Sequence, residues 1–353
     1  MLYDSSLWIS DLNTVVDTLP ELTDLTGSTV LITGAGGLIC SAFVDLLIQY
    51  NERHKKTISI LSAGRNEQKI KERFGKYFYK DYFSFIPYDS LSSVPMIDKK
   101  AEYIIHGAGN ATPDAIIREP VETMKSNFLG LLSLLSYAKE VGTKKLLFIS
   151  SSEIYGQKES NNPCQENEYG YVDLLNSRNS YSVGKRAAET LCVSFADEYD
   201  VDSVIIRPGH VYGPTAKEND NRVSSAWAYK AARGENIIMK SDGSQIRSYC
   251  YCLDNASAIL KVLLFGEKCQ AYNISNPDSI ISIYEMAKIL AASGNVQLDM
   301  RLPTAEERKS YNPMRNSSLN SSRLQALGWQ GCFDAETGFS HTVNILKEII
   351  NKK

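Results

Sequence analysis

STVLITGAGGLICSAFVDLLIQY, residues 28–50, passes from an apolar strand through a glycine-rich turn into a helix. Gly34 permits the tight turn, and Gly37 lets the backbone come close to a pyrophosphate. The helix that begins just beyond adds free N–H groups and the positive end of its dipole, the ordinary means of holding a dinucleotide. The last small residue of that fingerprint, a glycine that brings helix and strand together, is Cys40 here. Cysteine is small enough that slight repacking is expected, with the site kept.

Outward from this unit the strand signals repeat. KTISILSAGRN, YFSFIPYD, AEYIIHGAG, KKLLFISSS and DSVIIRPG read as five further strands, most of them separated by helical patterns. Strands apolar throughout and alternating with helices indicate a parallel sheet covered on both faces. The fold class expected is α/β, a Rossmann-like doubly wound parallel sheet with a smaller C-terminal substrate-binding lobe. Residues 1–27 read as an N-terminal helical extension whose Trp8 and Leu12 pack back on the body; 28–208 read as the dinucleotide-binding domain. Residues 209–353, less regular, read mainly as the second lobe, with the chain returning once to the first domain.

The 353 residues carry a net charge of −3 without long charge runs, which argues against nucleic-acid and anionic-membrane partners. Seven cysteines without a CxxC spacing suit free thiols, including Cys250 and Cys252, and hence a reducing cytoplasm. A basic leader and a spanning apolar run are both absent from the reading. His54, His106, His210 and His341 lack metal-ligand spacing, so no metal is expected. The helix VETMKSNFLGLLSLLSYAKEVG carries Phe128, Leu129, Leu131, Leu132, Leu134 and Leu135 around most of its circumference. Such a helix is buried on more than one side, either within the monomer or, the favoured expectation, in a homodimer.

Chemistry-bearing residues gather at strand ends and on one helix. Serines and a glutamate stand where FISSSEIYG leaves its strand. In NSYSVGKRAAETLCVSF, Tyr181 and Lys185 lie four apart and share a helix face. A phenol with a pKa near ~10 becomes a base at neutral pH only with help, and a close ammonium can supply the required ~4 kcal/mol. Tyr181 could then take a hydroxyl proton while hydride leaves the same carbon for a nicotinamide. At the end of the second strand, where an acidic residue favours NAD, Ser62 and Arg65 stand instead, and Arg65 could pair with a 2′-phosphate. On these residues NADP is slightly favoured. Asp89, after the third strand, is a candidate adenine contact.

Taken together, TGAGGLIC, HGAG, SNFLG, SSSEIYG, YSVGK, RPGHVYGP, GSQIRSYCYCLD, YNISNP and LGW resemble the extended short-chain dehydrogenase/reductase (NAD-dependent epimerase/dehydratase) family, over roughly residues 28–330. The resemblance implies a nucleotide-diphosphate-sugar substrate. It makes Tyr181 the base, Ser151 the hydroxyl that bonds the reacting group, and Lys185 the holder of the nicotinamide ribose. It assigns Gly34, Gly37, Leu38, Ile39, Ala108 and Asn127 to the cofactor, and Asn110, Ser152, Arg222, Arg247 and Arg315 to the substrate. Ser151–Ser152–Glu153 looks most like the threonine–serine–glutamate triplet of the UDP-glucuronate decarboxylase branch, as do NATP, NSRNSY, KRAAETLC and DNRVSSAW. That branch implies C4 oxidation by NAD⁺, loss of carbon dioxide from the β-keto acid, and reduction of the ketone by the retained cofactor. Glu153 would move protons around the decarboxylation. Because the cofactor is recycled internally, NAD is favoured over NADP.

One departure keeps alternatives open. The branch carries an arginine thirteen residues before the late GW tryptophan; counted back from Trp329 that position is Asn316, with Arg315 one earlier. Loss of that carboxylate partner would favour a 4-epimerase on a neutral NDP-hexose. A non-catalytic cofactor-binding scaffold is the remaining alternative, and the retention of Tyr181 and Lys185 argues against it.

Overall fold

The computed structural model describes residues 1–55, 57–91, 100–301 and 314–352. After α1 (Ser6–Asp17), the glycine-turn unit forms as read: β1 (Thr29–Thr33) is buried end to end and feeds α2 (Leu38–His54). Then follow β2 (Ser59–Gly64), α3 (Glu67–Phe74), β3 (Phe83–Pro87), β4 (Tyr103–His106), α4 (Pro113–Arg118) and α5 (Pro120–Val141). β5 (Lys145–Ile149), α6 (Ser180–Tyr199) and β6 (Ser203–Pro208) complete the regular alternation.

Beyond Pro208 the chain makes an excursion through β7 (His210–Tyr212), α7 (Val223–Ala232), β8 (Ile237–Met239), β9 (Ile246–Tyr251) and α8 (Cys252–Phe265). It then adds β10 (Ala271–Ile274) to the edge of the main sheet beside β6. β11 (Ile280–Ser282), α9 (Ile283–Gly294) and β12 (Leu298–Met300) follow. The main sheet is parallel throughout, in the order β10-β6-β5-β4-β1-β2-β3. Six of its strands are legible as apolar runs; the four-residue β10 has too short a pattern to stand out among loops. From β1 the chain winds to one edge, and from β4 to the other. The carboxyl ends of β1 and β4 therefore border the crevice where such sheets bind ligands.

The turn at that crevice is tightly built. Gly34 has φ +71°, and a Cβ there would lie 2.7 Å from the Gly107 carbonyl oxygen at the end of β4. A Cβ on Gly107 would in turn collide with Cys40 Sγ. Cysteine in the third fingerprint position is thus accommodated by a glycine on the neighbouring strand.

Trp8 and Leu12 are fully buried, and α1 packs against α2, α8 and the C-terminal helix Ala335–Ile350. Asp11 accepts a hydrogen bond from Tyr251 Oη at 2.9 Å and lies 2.9 Å from His341 Nδ1. Tyr249, Cys250, Tyr251 and Cys252 are all buried, because β9 is covered on both faces before α8 begins.

Beneath the carboxyl ends of β5 and β6 lies a buried ion pair. Arg207 directs Nε to Glu189 Oε1 at 3.0 Å and Nη2 to Glu189 Oε2 at 2.6 Å. Its remaining donors reach Tyr155 Oη (3.0 Å), the Glu166 carbonyl (2.7 Å) and Tyr169 Oη (3.2 Å). Ser150 donates to the same Glu189 at 2.5 Å, and Tyr155 donates to Asn273 of β10 at 2.5 Å. All five guanidinium protons are matched, and one residue ties β5, β6, α6 and β10 together. Arg207→Met should therefore cost about 3–5 kcal/mol, because it leaves the Glu189 charge buried without a partner. In chemical denaturation, the double variant Arg207→Met/Glu189→Met should recover much of that loss. Equal destabilisation of single and double variants would show that the charge pairing is not the cause.

Candidate active site

The crevice fits a dinucleotide on three observations. Gly37 opens α2 without a side-chain capping bond, so the first-turn N–H groups face outward. In α5, buried Asn127 donates Nδ2 to the Thr123 carbonyl at 2.7 Å, while its Oδ1 has no partner among the described residues and lies beside Gly109. His106 places Nδ1 2.8 Å from Thr33 Oγ1 and leaves Nε2 without a partner among the described residues. Burial, aided by the Lys185 charge, pushes its pKa down to about 3, so the ring is neutral. Ala108 donates its N–H to Thr33 Oγ1 at 3.3 Å. The Leu38 carbonyl accepts from Thr215 Oγ1 at 2.8 Å, which fastens the first turn of α2 to the segment after β7; Ile39 is half-buried behind it.

The ribose-side reading needs one correction. Ser62 is fully buried inside β2, opposite Ile32, and the strand continues to Gly64. A ribose contact belongs at the strand's tip, so Ser62 is part of the sheet and Arg65, exposed just past Gly64, is the residue at the expected place. Asp89 lies in the turn after β3 and accepts the Leu91 N–H at 3.0 Å.

Tyr181, Lys185 and Glu189 occupy successive turns on the buried face of α6. Lys185 Nζ donates to the Ile149 carbonyl at 2.6 Å and lies 4.6 Å from the Phe148 ring centroid and 5.8 Å from that of Tyr181. Ser151 caps the turn Ser152–Tyr155 by accepting the Glu153 N–H at 3.1 Å, and its hydroxyl also bonds the Tyr181 phenol. The electrostatics differ from the expectation of an ionised phenol. Burial, and after it the Glu153 carboxylate, pushes the Tyr181 phenol up to about 12, against the Ser151 bond and the Arg222 charge. Burial also pushes Lys185 down to about 7, opposed by Glu189. In both groups desolvation outweighs the neighbouring charges, so the protein alone holds a neutral phenol.

Glu153 has a mixed environment. Its side chain is 48% exposed, yet it sits deep enough between protein walls that desolvation raises its pKa, with Arg178 pulling the other way from 3.8 Å. Across the cleft, Arg222 is braced by Asp220, with Nε 2.9 Å and 3.0 Å from the two carboxylate oxygens. Arg247 is buried and donates to the Ile246 (2.8 Å) and Met314 (3.2 Å) carbonyls. His210 is exposed at its surface yet hemmed in by protein, and desolvation, followed by the charges of Arg247 and Arg222, pushes it down to about 4. Ser152 is half-buried at the start of the turn, and Asn110 donates Nδ2 to Glu119 at 3.2 Å.

Arg315 lies at the surface. Its charge acts on Asp242, while its carbonyl holds the Ile246 N–H at 2.8 Å. Asn316, in the register position of the missing arginine, donates to the Asn161 carbonyl at 2.8 Å. Two residues that the sequence reading passed over stand in the cleft: His210, inside RPGHVYGP, and Arg178, three residues before Tyr181 in NSRNSY. Both lay within quoted motifs, and position inside those motifs was the available signal.

The depressed Lys185 pKa has a measurable consequence. Between about 7 in the fold and ~10.4 in the unfolded chain, the unfolded state binds more protons, so stability rises with pH across that window. The penalty is fully present below pH 7. In thermal melts without added cofactor, the stability of Lys185→Met relative to the parent protein should fall steadily from pH 6.5 to pH 10. A pH-independent difference would contradict the buried, desolvated ammonium.

The family model for the NAD dependent epimerase/dehydratase family matches residues 30–275. UDP-glucuronic acid decarboxylase 3 of Arabidopsis thaliana is 30% identical over 301 residues, covering 85% of this chain and 84% of that protein. UDP-glucuronic acid decarboxylase 1 of Xenopus tropicalis is 27% identical over 321 residues, covering 90% and 72%. Among solved structures, UDP-glucose 4-epimerase from Thermotoga maritima superposes with a TM-score of 0.76 at 23% identity, covering 91% and 99% of the two chains. The dTDP-glucose 4,6-dehydratase of Bacillus anthracis, in complex with NAD, gives 0.74 at 18% identity, covering 91% and 97%. The glycine turn, the parallel sheet and the extent of these matches lead to one conclusion: the chain belongs to the NAD dependent epimerase/dehydratase family.

Proposed function

We propose that the protein is an NAD-dependent nucleotide-sugar decarboxylase that converts UDP-glucuronate to a UDP-pentose and carbon dioxide. The observation that carries this reading is the placement of Glu153. A carboxyl group with a raised pKa lies within electrostatic reach of Tyr181, at the tip of β5. Epimerisation needs a hydroxyl, a base and the cofactor; replacing a lost carboxylate by a proton needs a further acid. The Ser151–Ser152–Glu153 triplet and the relatives named as UDP-glucuronic acid decarboxylases support the same reading.

Bound NAD⁺ would accept hydride from the sugar C4 and return it once carbon dioxide has left. Gly34, Gly37, Leu38, Ile39, Arg65, Asp89, Ala108 and Asn127 would hold that cofactor, and Lys185 would turn its ammonium to the ribose hydroxyls. Positive charge brought beside Tyr181 opposes the desolvation that keeps the phenol neutral. Tyr181, steadied by Ser151, then takes the C4 hydroxyl proton. With a carbonyl at C4 the C6 carboxylate is β to it, so the C5–C6 bond pair can move into the carbonyl as carbon dioxide departs. The phenol of Tyr181 stabilises the enolate oxygen, and Glu153 supplies the proton at C5. Arg222 and Arg247, with neutral His210 between them, suit the diphosphate. Ser152 and Asn110 would contact the sugar.

A second reading has its own support. Asn316 is committed to the Asn161 carbonyl, so the usual carboxylate partner is replaced by a neutral group, as suits a 4-epimerase of a neutral NDP-hexose. Incubation with UDP-glucuronate and NAD⁺ decides between them. Carbon dioxide and a UDP-pentose should form, and Tyr181→Phe should lower the rate by roughly 10²–10⁴-fold, the contribution of a positioned acid–base group. Interconversion of UDP-glucose and UDP-galactose without carbon dioxide release would establish the epimerase instead.

The working unit in this reading is a homodimer in a reducing cytoplasm. All seven cysteines are free, which supports that compartment, and no helix among the described residues is long and apolar enough to cross a membrane. In the first half of α5, Val121, Met124, Phe128 and Leu129 are exposed apolar side chains, whereas Leu131, Leu134 and Leu135 further along the helix are buried. Sedimentation at micromolar concentration should give a dimer, and Phe128→Glu/Leu129→Glu a folded monomer. A monomeric parent protein would contradict the assembly.

A further inference from the structure

We propose that Arg178 is the cation that receives the carboxylate of the substrate sugar, a role that falls to it because Arg315 is exposed near Asp242 and Asn316 is engaged with the Asn161 carbonyl. The inference rests on the decarboxylase reading and assigns its specificity to a residue outside the lobe expected to supply it.

A sugar whose C4 hydroxyl meets Tyr181 brings its C6 carboxylate within a few ångströms of that phenol, on the side where Glu153 stands. A cation must face this point, since a second carboxylate beside Glu153 is otherwise repelled. The charged groups around the cleft can be taken in turn. Lys185 donates to the Ile149 carbonyl and in this reading serves the cofactor ribose. Arg222, braced by Asp220, and Arg247, which donates to two backbone carbonyls, are in this reading taken by the diphosphate. Arg315 acts on Asp242. Arg178 differs from all of these. Among the described residues its guanidinium makes no hydrogen bond, and its one charged neighbour, Glu153, is 3.8 Å away. Both side chains are close to half exposed, 44% and 48%, so the fork is accessible beside Glu153.

The backbone that carries Arg178 is firmly shaped. Asp173 accepts the Leu175 N–H at 3.0 Å and Asn176 accepts the Arg178 N–H at 3.0 Å, making two consecutive side-chain-closed turns. Asn179 donates back to the Asp173 carbonyl at 2.9 Å, and Ser182 of α6 donates to the Asn179 carbonyl at 3.1 Å. The single turn Ser177–Asn179 packs against α4 and runs directly into α6. The helix that positions Tyr181 therefore also fixes the root of Arg178. A planar fork on such a root can take a carboxylate through two parallel N–H···O bonds. Desolvation raises the pKa of Glu153, and a second carboxylate brought beside it pushes in the same direction.

Steady-state kinetics on the full-length enzyme with NAD⁺ test this, with UDP-glucose as a neutral competitor. Arg178→Gln should raise KM for UDP-glucuronate by roughly 10- to 100-fold, the value of a charge-assisted bidentate contact, and leave the inhibition constant of UDP-glucose within about twofold. Arg178→Lys should restore part of the loss, and Arg315→Gln should behave as the parent enzyme. Equal weakening of both nucleotide sugars would make Arg178 merely structural, and a UDP-glucuronate-specific loss in Arg315→Gln but not Arg178→Gln would reassign the role; either result overturns the proposal while the decarboxylase reading stands. A parent enzyme that releases no carbon dioxide from UDP-glucuronate would end both.

Discussion

The site rests on a salt bridge that substrate never touches. Arg207, at the end of β6, grips Glu189 of α6 with two bonds of 3.0 and 2.6 Å, and every other proton of its guanidinium is matched. A buried pair of this kind is costly to assemble and strongly destabilising to break, so its value lies in the geometry it imposes. Glu189 is one turn past Lys185 and two past Tyr181, so fixing Glu189 against β5 and β6 fixes the rotation of the whole helix. The same cluster holds Tyr155, the last residue of the turn that carries Ser151 and Glu153, and through Asn273 it clamps the returning strand β10.

Above that foundation the cleft is governed by desolvation. Taken singly, each functional group is biased toward its neutral form: the Tyr181 phenol and the Glu153 carboxyl are shifted upward, the Lys185 ammonium and the His210 imidazolium downward. A cleft tuned this way is poorly charged by itself and responds strongly to charges brought into it, because electrostatic interactions are large where water is scarce. In the proposed reaction such charges arrive with the reactants: a cationic nicotinamide ring, a diphosphate and a sugar carboxylate. The ionisation that makes Tyr181 a base then belongs to the assembled complex.

The glycine turn, six apolar strands and the Tyr181–Lys185 spacing were all legible in the sequence, because each has a periodic or local signature. β10 was not, since four residues cannot display a period and its place beside β6 follows from the long excursion that precedes it. Ser62 was misplaced because a strand's end cannot be counted reliably from composition; two residues moved it from the tip into the sheet. That Cys40 fits the turn depends on the missing side chain at Gly107, a contact between distant segments that the sequence does not display. The sign of the Tyr181 pKa was misjudged, as spacing on a helix reports proximity and says nothing of how dry the surroundings are. Arg178 and His210 were given no site role because their significance depends on which charges face the same cleft, and that is set by tertiary packing.

The central claim is that Tyr181 and Glu153 move protons while one hydrogen leaves C4 and returns to it inside the closed site. Conversion of UDP-glucuronate deuterated at C4, carried out in ordinary water, measures this directly. The account predicts a UDP-pentose that keeps its deuterium at C4 and has taken a solvent-derived proton at C5. Loss of the label to water, or carbon dioxide release without any redox event at C4, would contradict it.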